Sequence, residues 1–247
     1  NSSSLDHKDG VHGEVIYDLF IRQYIFKLSI HANEKALDGD RGKLIDRQRN
    51  EMKTQTTPSW YKLNGNWDEC QQLKWKFKIP KDFRPSGSFT HLHQLKAQEG
   101  NNGSPVITIT ARSNGNGSNR RIQIIHNGDT EETTKGTIID NLPLEDFEDE
   151  WIQVETEMHY THNGSFSITL SRLSDGKRLV QRSFDDIDLW RKGAISIRNK
   201  FGIYRSFGKT LTDENDRPTN GIKDEHILLA DFKVYEKNTN PDPQPHD

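Results

Sequence analysis

Asn199–Ser206 reads NKFGIYRS. On an extended strand, alternation sends Arg198, Lys200, Gly202, Tyr204 and Ser206 to one face and Asn199, Phe201, Ile203 and Arg205 to the other. Two cations and a phenol on one face can hold an anion and move a proton beside it, because neighbouring positive charge stabilises a phenolate. Gly202 presents no side chain between them, so a ligand is expected to lie close against its backbone. Lys200 and Tyr204 stand about 13 Å apart along such a strand, a spacing that suits an extended polymer better than a small molecule.

Two further segments carry chemistry. Arg47–Lys53 (RQRNEMK) puts Arg47, Arg49, Glu51 and Lys53 on one strand face, three cations around one carboxylate. An arginine grips a carboxylate or sulfate through two parallel N–H donors, and Glu51 can hold the neighbouring cations in place. Taken alone, the same run also suits a solvated edge. In Phe89–Ala97 (FTHLHQLKA), His91 and His93 share a face by alternation, while Gln94 and Lys96 lie on the other unless a bulge intervenes. The histidine pair lacks a third ligand at zinc-like spacing, so no metal is assigned to it. A proton-transfer or charge-neutralising role beside a phenol is expected instead.

The elements that must position these residues are strands. Leu73–Ile79 (LKWKFKI) turns Leu73, Trp75, Phe77 and Ile79 inward and Lys74, Lys76 and Lys78 outward. The lysine face reads as a soluble outer surface, with lysines guarding an edge. Strands are also expected at Tyr24–His31, Val106–Arg112, Arg121–His126, Trp151–Thr161, Ser165–Leu173, Ala194–Arg205 and Ile227–Glu236. Turn clusters such as EGNNGSP and SNGNGSN separate them. Phe184–Trp190 reads as a short helical turn. The pattern is all-β, a two-sheet β-jelly-roll sandwich. One domain is expected over 1–237, with 238–247 (NTNPDPQPHD) a Pro-rich tail or linker to a further module.

Composition narrows the function. The chain has 247 residues and a net charge of −3, which gives no global attraction to nucleic acid, so any anion site is a local cluster. No apolar run approaches the ~18 residues of a membrane span. Cys70 is the lone cysteine and forms no internal bridge. The acidic run Glu145–Glu150 (EDFEDE) reads as a solvated turn rather than the paired carboxylates of a glycosidase. Nucleophile-elbow, phosphate-loop, dinucleotide and zinc-protease motifs are absent. The place assigned to a structural calcium ion, if one is held, is the convex side near Asp231.

Taken together, Arg49–Lys53, His91–His93 and Lys200–Ser206 resemble three strands of jelly-roll polysaccharide lyases of the alginate-lyase type. Those strands read R-[ST]-E-L-R, Q-[IV]-H and Y-F-K-x-G-x-Y-x-Q in the same chain order, and ulvan, glucuronan and heparin lyases share the architecture. Here Lys53 replaces the second arginine, His91 the glutamine of the second strand and Ser206 the glutamine of the third. The closing LLADFKVYE resembles the last strand of concanavalin-like jelly rolls.

The resemblance implies a concave cleft in which a uronic-acid polymer, ulvan-, alginate- or glucuronan-like, is cut by β-elimination. The product carries an unsaturated uronate at the new non-reducing end, and no cofactor is required. It further implies that Arg49 and His91, with Gln94 beside them, neutralise the uronate carboxylate, that Tyr204 or His93 removes the proton, and that Tyr204 delivers one to the leaving oxygen. Lys200, Arg198, Lys53, Gln94, Glu51 and Arg205 then bind substrate. A secreted or periplasmic monomer is expected, with the anionic polysaccharide as its partner and neither nucleic acid nor membrane. The alternative on the same fold is a non-catalytic carbohydrate-binding module.

Overall fold

The computed structural model describes residues 11–31, 47–54, 63–114, 117–206 and 222–237, so the tail expected at 238–247 lies outside the described residues. The strands in chain order are β1 (Gly13–Asp18), β2 (Gln23–Ile30), β3 (Arg47–Lys53), β4 (Cys70–Lys78), β5 (Thr90–Gln98), β6 (Ile107–Arg112) and β7 (Arg121–His126). They continue with β8 (Gly136–Pro143), β9 (Ile152–His159), β10 (Gly164–Arg172), β11 (Arg178–Ile187), β12 (Ser196–Ser206) and β13 (Glu225–Lys237). Seven of them form one sheet in the order β1-β2-β13-β4-β9-β10-β11, and six form the other in the order β3-β12-β5-β6-β7-β8. The fold is an all-β, two-sheet jelly roll.

Alternation builds the core. Leu73, Trp75, Phe77 and Ile79 meet Leu92, Leu95, Ile107, Ile109, Ile122, Ile124, Ile197 and Ile203 of the facing sheet, each at most 1% exposed. Burying each such side chain contributes about 1.5–3 kcal/mol. The outward lysines of β4 do not guard an edge, because β4 lies inside the seven-stranded sheet between β13 and β9. They pair with carboxylates along its outer surface: Lys74 with Glu155 at 3.0 Å, Lys78 with Asp149 at 2.7 Å, and Lys76 with Asp231. Asp231, the residue assigned to calcium, is thus engaged by Lys76 and faces Lys233 at 3.8 Å. Calcium favours a shell of oxygen ligands, not ammonium neighbours.

Three elements depart from the sequence reading. The helical turn expected at Phe184–Trp190 is instead the end of β11 and the loop after it. β1 and β8 escape the pattern because much of each is half-buried or exposed, so neither shows a clean period of two. The acidic run does form a turn, a single 3-10 turn at Leu144–Asp146. A recess of about 490 Å³, lined by Phe26, Met52, Leu73, Phe201 and Phe232 among others, opens at the sandwich edge on the core side of β12. Its lining is mostly apolar and ends at Lys53 and Thr54, at the close of β3.

One irregularity governs the six-stranded sheet. The pairing of β12 with β5 slips between Phe201 and Tyr204, and that of β5 with β6 slips between His91 and His93. Gly202 sits at the slip with φ +144°, and a Cβ there would lie 2.2 Å from the Asn50 carbonyl oxygen and 2.8 Å from Glu51 Cα. What approaches Gly202 closely is therefore the backbone of β3, not a ligand as the sequence suggested. Gly202→Ala is expected to destabilise the fold by on the order of 3 kcal/mol or more, since both the dihedral and the space exclude a side chain. Urea denaturation of the purified variant measures this.

Candidate active site

The outer face of the six-stranded sheet gathers the charged segments. In register, Tyr204 stands opposite Arg49 on β3 and His91 on β5, Lys200 opposite Lys53 and Gln94, and Arg198 opposite Lys96. Lys200, Gln94 and Thr108 belong to this outer face, yet they are only 5%, 1% and 2% exposed, which marks it as a recess rather than an open surface.

The slip divides the two histidines. One extra residue in β5 places His91 with Gln94 and Lys96 on the recessed face and turns His93 into the core. His93 is 2% exposed, with its ring 5.3 Å from Trp75 and 4.9 Å from Phe201. Its Nε2 donates to Asn199 Oδ1 at 3.0 Å. Burial pushes its pKa down to about 4 against the pull of that hydrogen bond. The role of base expected for His93 is therefore corrected: its ring lies on the wrong side of the sheet. Arg205 is corrected likewise. Alternation turns it inward, where it is fully buried, and a buried guanidinium must have its donors satisfied. It donates to Gln48 Oε1 through Nε (3.0 Å) and Nη2 (2.9 Å), and through Nη1 to the Lys223 carbonyl (2.7 Å).

The remaining site residues converge on Tyr204. Arg47 Nη1 donates to the phenol oxygen at 3.1 Å. The Arg49 guanidinium lies 4.3 Å from the ring centroid, a cation–π contact, and Lys200 Nζ lies 5.7 Å from it. The 13 Å strand separation expected between Lys200 and Tyr204 is thus closed by their side chains. His91 sits with its ring centroid 5.8 Å from that of Tyr204, and Phe89 stacks on His91 at 4.7 Å. Lys53 is exposed at the end of β3.

Glu51 lies beneath this cluster, its side chain 3% exposed. It accepts from Lys200 Nζ and Gln94 Nε2 and lies 4.0 Å from Arg49 Nη1. Among the described residues of β3, β5 and β12 it is the one carboxylate on the recessed face, against Arg47, Arg49, Lys96, Arg198 and Lys200. Burial, with Lys200, Arg49 and Arg198 nearby, pushes Lys96 down to about 8. Burial first, then Arg112, Lys200 and Lys96, push His91 down to about 3, so its imidazole is neutral at ordinary pH. His91 Nδ1, Arg198 Nε and Thr108 Oγ1 are buried without hydrogen-bond partners in the structure. Unsatisfied buried polar atoms mark places where a ligand can complete the bonding.

Sequence reasoning left Arg47, Lys96 and Phe89 out of the site. The face alternation of RQRNEMK already carried the signal for Arg47. Lys96 and Phe89 depended on the slip, which no local pattern shows.

No protein-family model matches the chain, and no curated protein matches it. Solved structures match its fold. A family 7 alginate lyase in complex with substrate superposes with a TM-score of 0.57 at 14% identity, over 92% of this chain and 83% of that one. The endo-β-1,4-glucuronan lyase of the fungus Trichoderma reesei gives 0.55 at 14% identity, over 92% and 88%. The marine PL-14 alginate lyase of Aplysia kurodai gives 0.53 at 12% identity, over 92% and 87%. The chain has the jelly-roll fold of polysaccharide lyases.

Two predictions follow from the charge arrangement. Glu51→Gln strands the buried Lys200 ammonium and is expected to cost about 3–5 kcal/mol in urea denaturation. The second concerns pH. Unfolded histidines titrate near 6.5, whereas His91 and His93 stay neutral in the fold down to about 3 and about 4. Between pH 4.5 and 6.5 the unfolded chain therefore binds more protons at these two sites, and stability falls as pH drops. Glu225 opposes this: burial raises it to about 7 from 4.5, so its contribution is present at low pH and lost as pH rises. Two imidazoles against one carboxyl leave roughly 1.4 kcal/mol per pH unit from these three groups, with stability rising toward pH 6.5, and His126 and His226, whose pKa burial also lowers, add to the same slope. His93→Gln is expected to flatten that slope, measured as the unfolding free energy at several pH values in this window.

Proposed function

We propose that this protein is a polysaccharide lyase that cleaves a uronic-acid polymer by β-elimination on the recessed face. The carrying observation is the setting of Tyr204: a phenol hydrogen-bonded by Arg47, covered by Arg49 and flanked by the neutral imidazole of His91, in a recess where cations outnumber carboxylates among the described residues of β3, β5 and β12. The fold shared with alginate and glucuronan lyases supports the same reading.

The chemistry needs three things. The proton on C5 of a uronate is weakly acidic, and it leaves only if the adjacent carboxylate can take up the developing charge. Arg49 and the ring N–H of His91 supply preorganised donors for that carboxylate, and Gln94, fixed by Glu51, borders the same place. Tyr204, acting in its phenolate form, takes the C5 proton. The C–H electron pair becomes the C4=C5 double bond, the C4–O bond breaks, and the new phenol gives its proton to the leaving oxygen. Phenolate is thereby regenerated, and atoms and charge balance without a redox partner. Lys200, Arg198, Lys96 and Lys53 hold the flanking acidic groups. Polymers of this class lie outside the cytoplasm, and the enzyme is proposed to act there.

With His93 in the core, one group does both proton transfers, so proton and leaving oxygen must lie on the same face of the sugar. Glucuronate- and mannuronate-configured residues satisfy this, whereas their C5 epimers, iduronate and guluronate, do not. Glucuronan, ulvan and mannuronate-rich alginate are therefore expected to gain ultraviolet absorbance from the new double bond, while guluronate blocks are not. Tyr204→Phe is expected to lower kcat by at least about 100-fold while polymer binding persists. New reducing ends without the absorbance would identify a hydrolase, and binding with no cleavage would identify a carbohydrate-binding module.

A further inference from the structure

The recessed face continues beyond the strands that carry the catalytic cluster. On β6, Thr108, Thr110 and Arg112 point outward while Ile107, Ile109 and Ala111 enter the core. Thr110 pairs with His91 on one side and with Gln123 on the other, and Arg112 pairs with Arg121. An unbroken row thus leads from Tyr204 through His91 and Thr110 to Gln123, with Arg112 and Arg121 alongside.

Two features of this row are costly without a ligand. Arg112 and Arg121 are directly opposed across the β6–β7 ladder, and like charges in that position repel. Arg121 has partial relief from Asp140, 3.5 Å from its Nε. Arg112 Nε is buried without a hydrogen-bond partner. Gln123 is 5% exposed and its Nε2 donates to Asp140 Oδ1 at 2.8 Å, which fixes the amide and leaves its buried Oε1 with no donor. A planar guanidinium that shares its nearby carboxylate, Asp140, with Arg121 therefore lies beside a fixed acceptor lacking a hydroxyl. An acidic sugar carries both complements: a carboxylate or sulfate for the guanidinium and a ring hydroxyl for the amide oxygen.

We infer that Arg112, with Gln123 beside it, forms a second acid-binding subsite, taking the carboxylate or sulfate of a sugar in the same polymer that Tyr204 cleaves. Its direction follows from the sheet. β12 and β6 are two ladder steps apart, roughly 10 Å, so the polymer crosses the strands from β3 toward β7. This rests on the lyase reading of Tyr204 only for which bond is cut. The subsite itself rests on the opposed arginines and the open acceptor.

The test uses uronate oligosaccharides of increasing length, titrated calorimetrically into Tyr204→Phe protein with and without Arg112→Gln. Arg112→Gln is expected to weaken binding of hexamers by roughly 10- to 100-fold and to leave disaccharide binding unchanged. It should make no difference with carboxyl-reduced, neutral oligomers. Sulfated and unsulfated hexamers, run as separate arms, tell which acid the guanidinium takes. Arg112→Lys should recover part of the loss, which a misfolded protein would not. The melting temperature of ligand-free Arg112→Gln should equal or exceed that of the parent, because a repulsion is removed. Equal hexamer affinity with and without the substitution overturns the subsite. If unsaturated ends form with the parent protein while Arg112→Gln binds normally, the subsite falls and the lyase reading stands. If binding depends on Arg112 but no unsaturated ends appear, the reverse holds.

Discussion

The burial of one carboxylate beneath several cations is the constraint on which the recessed face depends. Glu51 is almost fully enclosed and takes hydrogen bonds from Lys200 and Gln94. Without it, Lys200 would be an unpaired ammonium in a low-dielectric setting, and the cost of desolvating it would be unopposed. With it, the strands β3, β12 and β5 can carry arginines and lysines at adjacent positions and still pair. Among the described residues of these strands a single carboxylate faces several cations, and burial acts against the charged forms of Lys96 and Lys200. An anion brought to such a surface would offset that cost.

The slip between β5 and β12 is the second constraint, and it sorts chemistry from scaffold. It leaves a neutral imidazole beside the phenol and sends the other histidine among Trp75 and Phe201, where it acts as a packed aromatic with one hydrogen bond. A neutral His91 has a chemical meaning. Burial first, and then Arg112, Lys200 and Lys96, lower its proton affinity, so an anion that offset those charges would raise it.

Much of the architecture was legible in the chain because its strands alternate cleanly. LKWKFKI and SIRNKFGIYRS each declare an inner and an outer face, and the outer face of the second holds Tyr204 and Lys200 as its pattern requires. What failed was whatever depends on pairing between distant segments. His91 and His93 look equivalent in FTHLHQLKA. The residue that separates them is set by the slipped pairing of β5 with β12 and β6, and no local period encodes that. The lysines of β4 looked like an edge because their partners Glu155 and Asp149 are some seventy residues or more away in sequence. Arg205 could be turned inward by alternation alone, and its cationic character had to yield to that geometry. Arg112 was invisible as a functional residue because its meaning comes from what stands across the ladder.

The lysines along β4 have one more consequence. Lys74, Lys76 and Lys78 are each capped by a carboxylate on the outside of the seven-stranded sheet, whereas on the outer face of β3, β5 and β12 the described residues hold one carboxylate among several cations. Opposite flanks of the sandwich thus differ in charge, and an asymmetry of this kind turns the whole particle before contact, so that an anion in solution meets the cationic flank first.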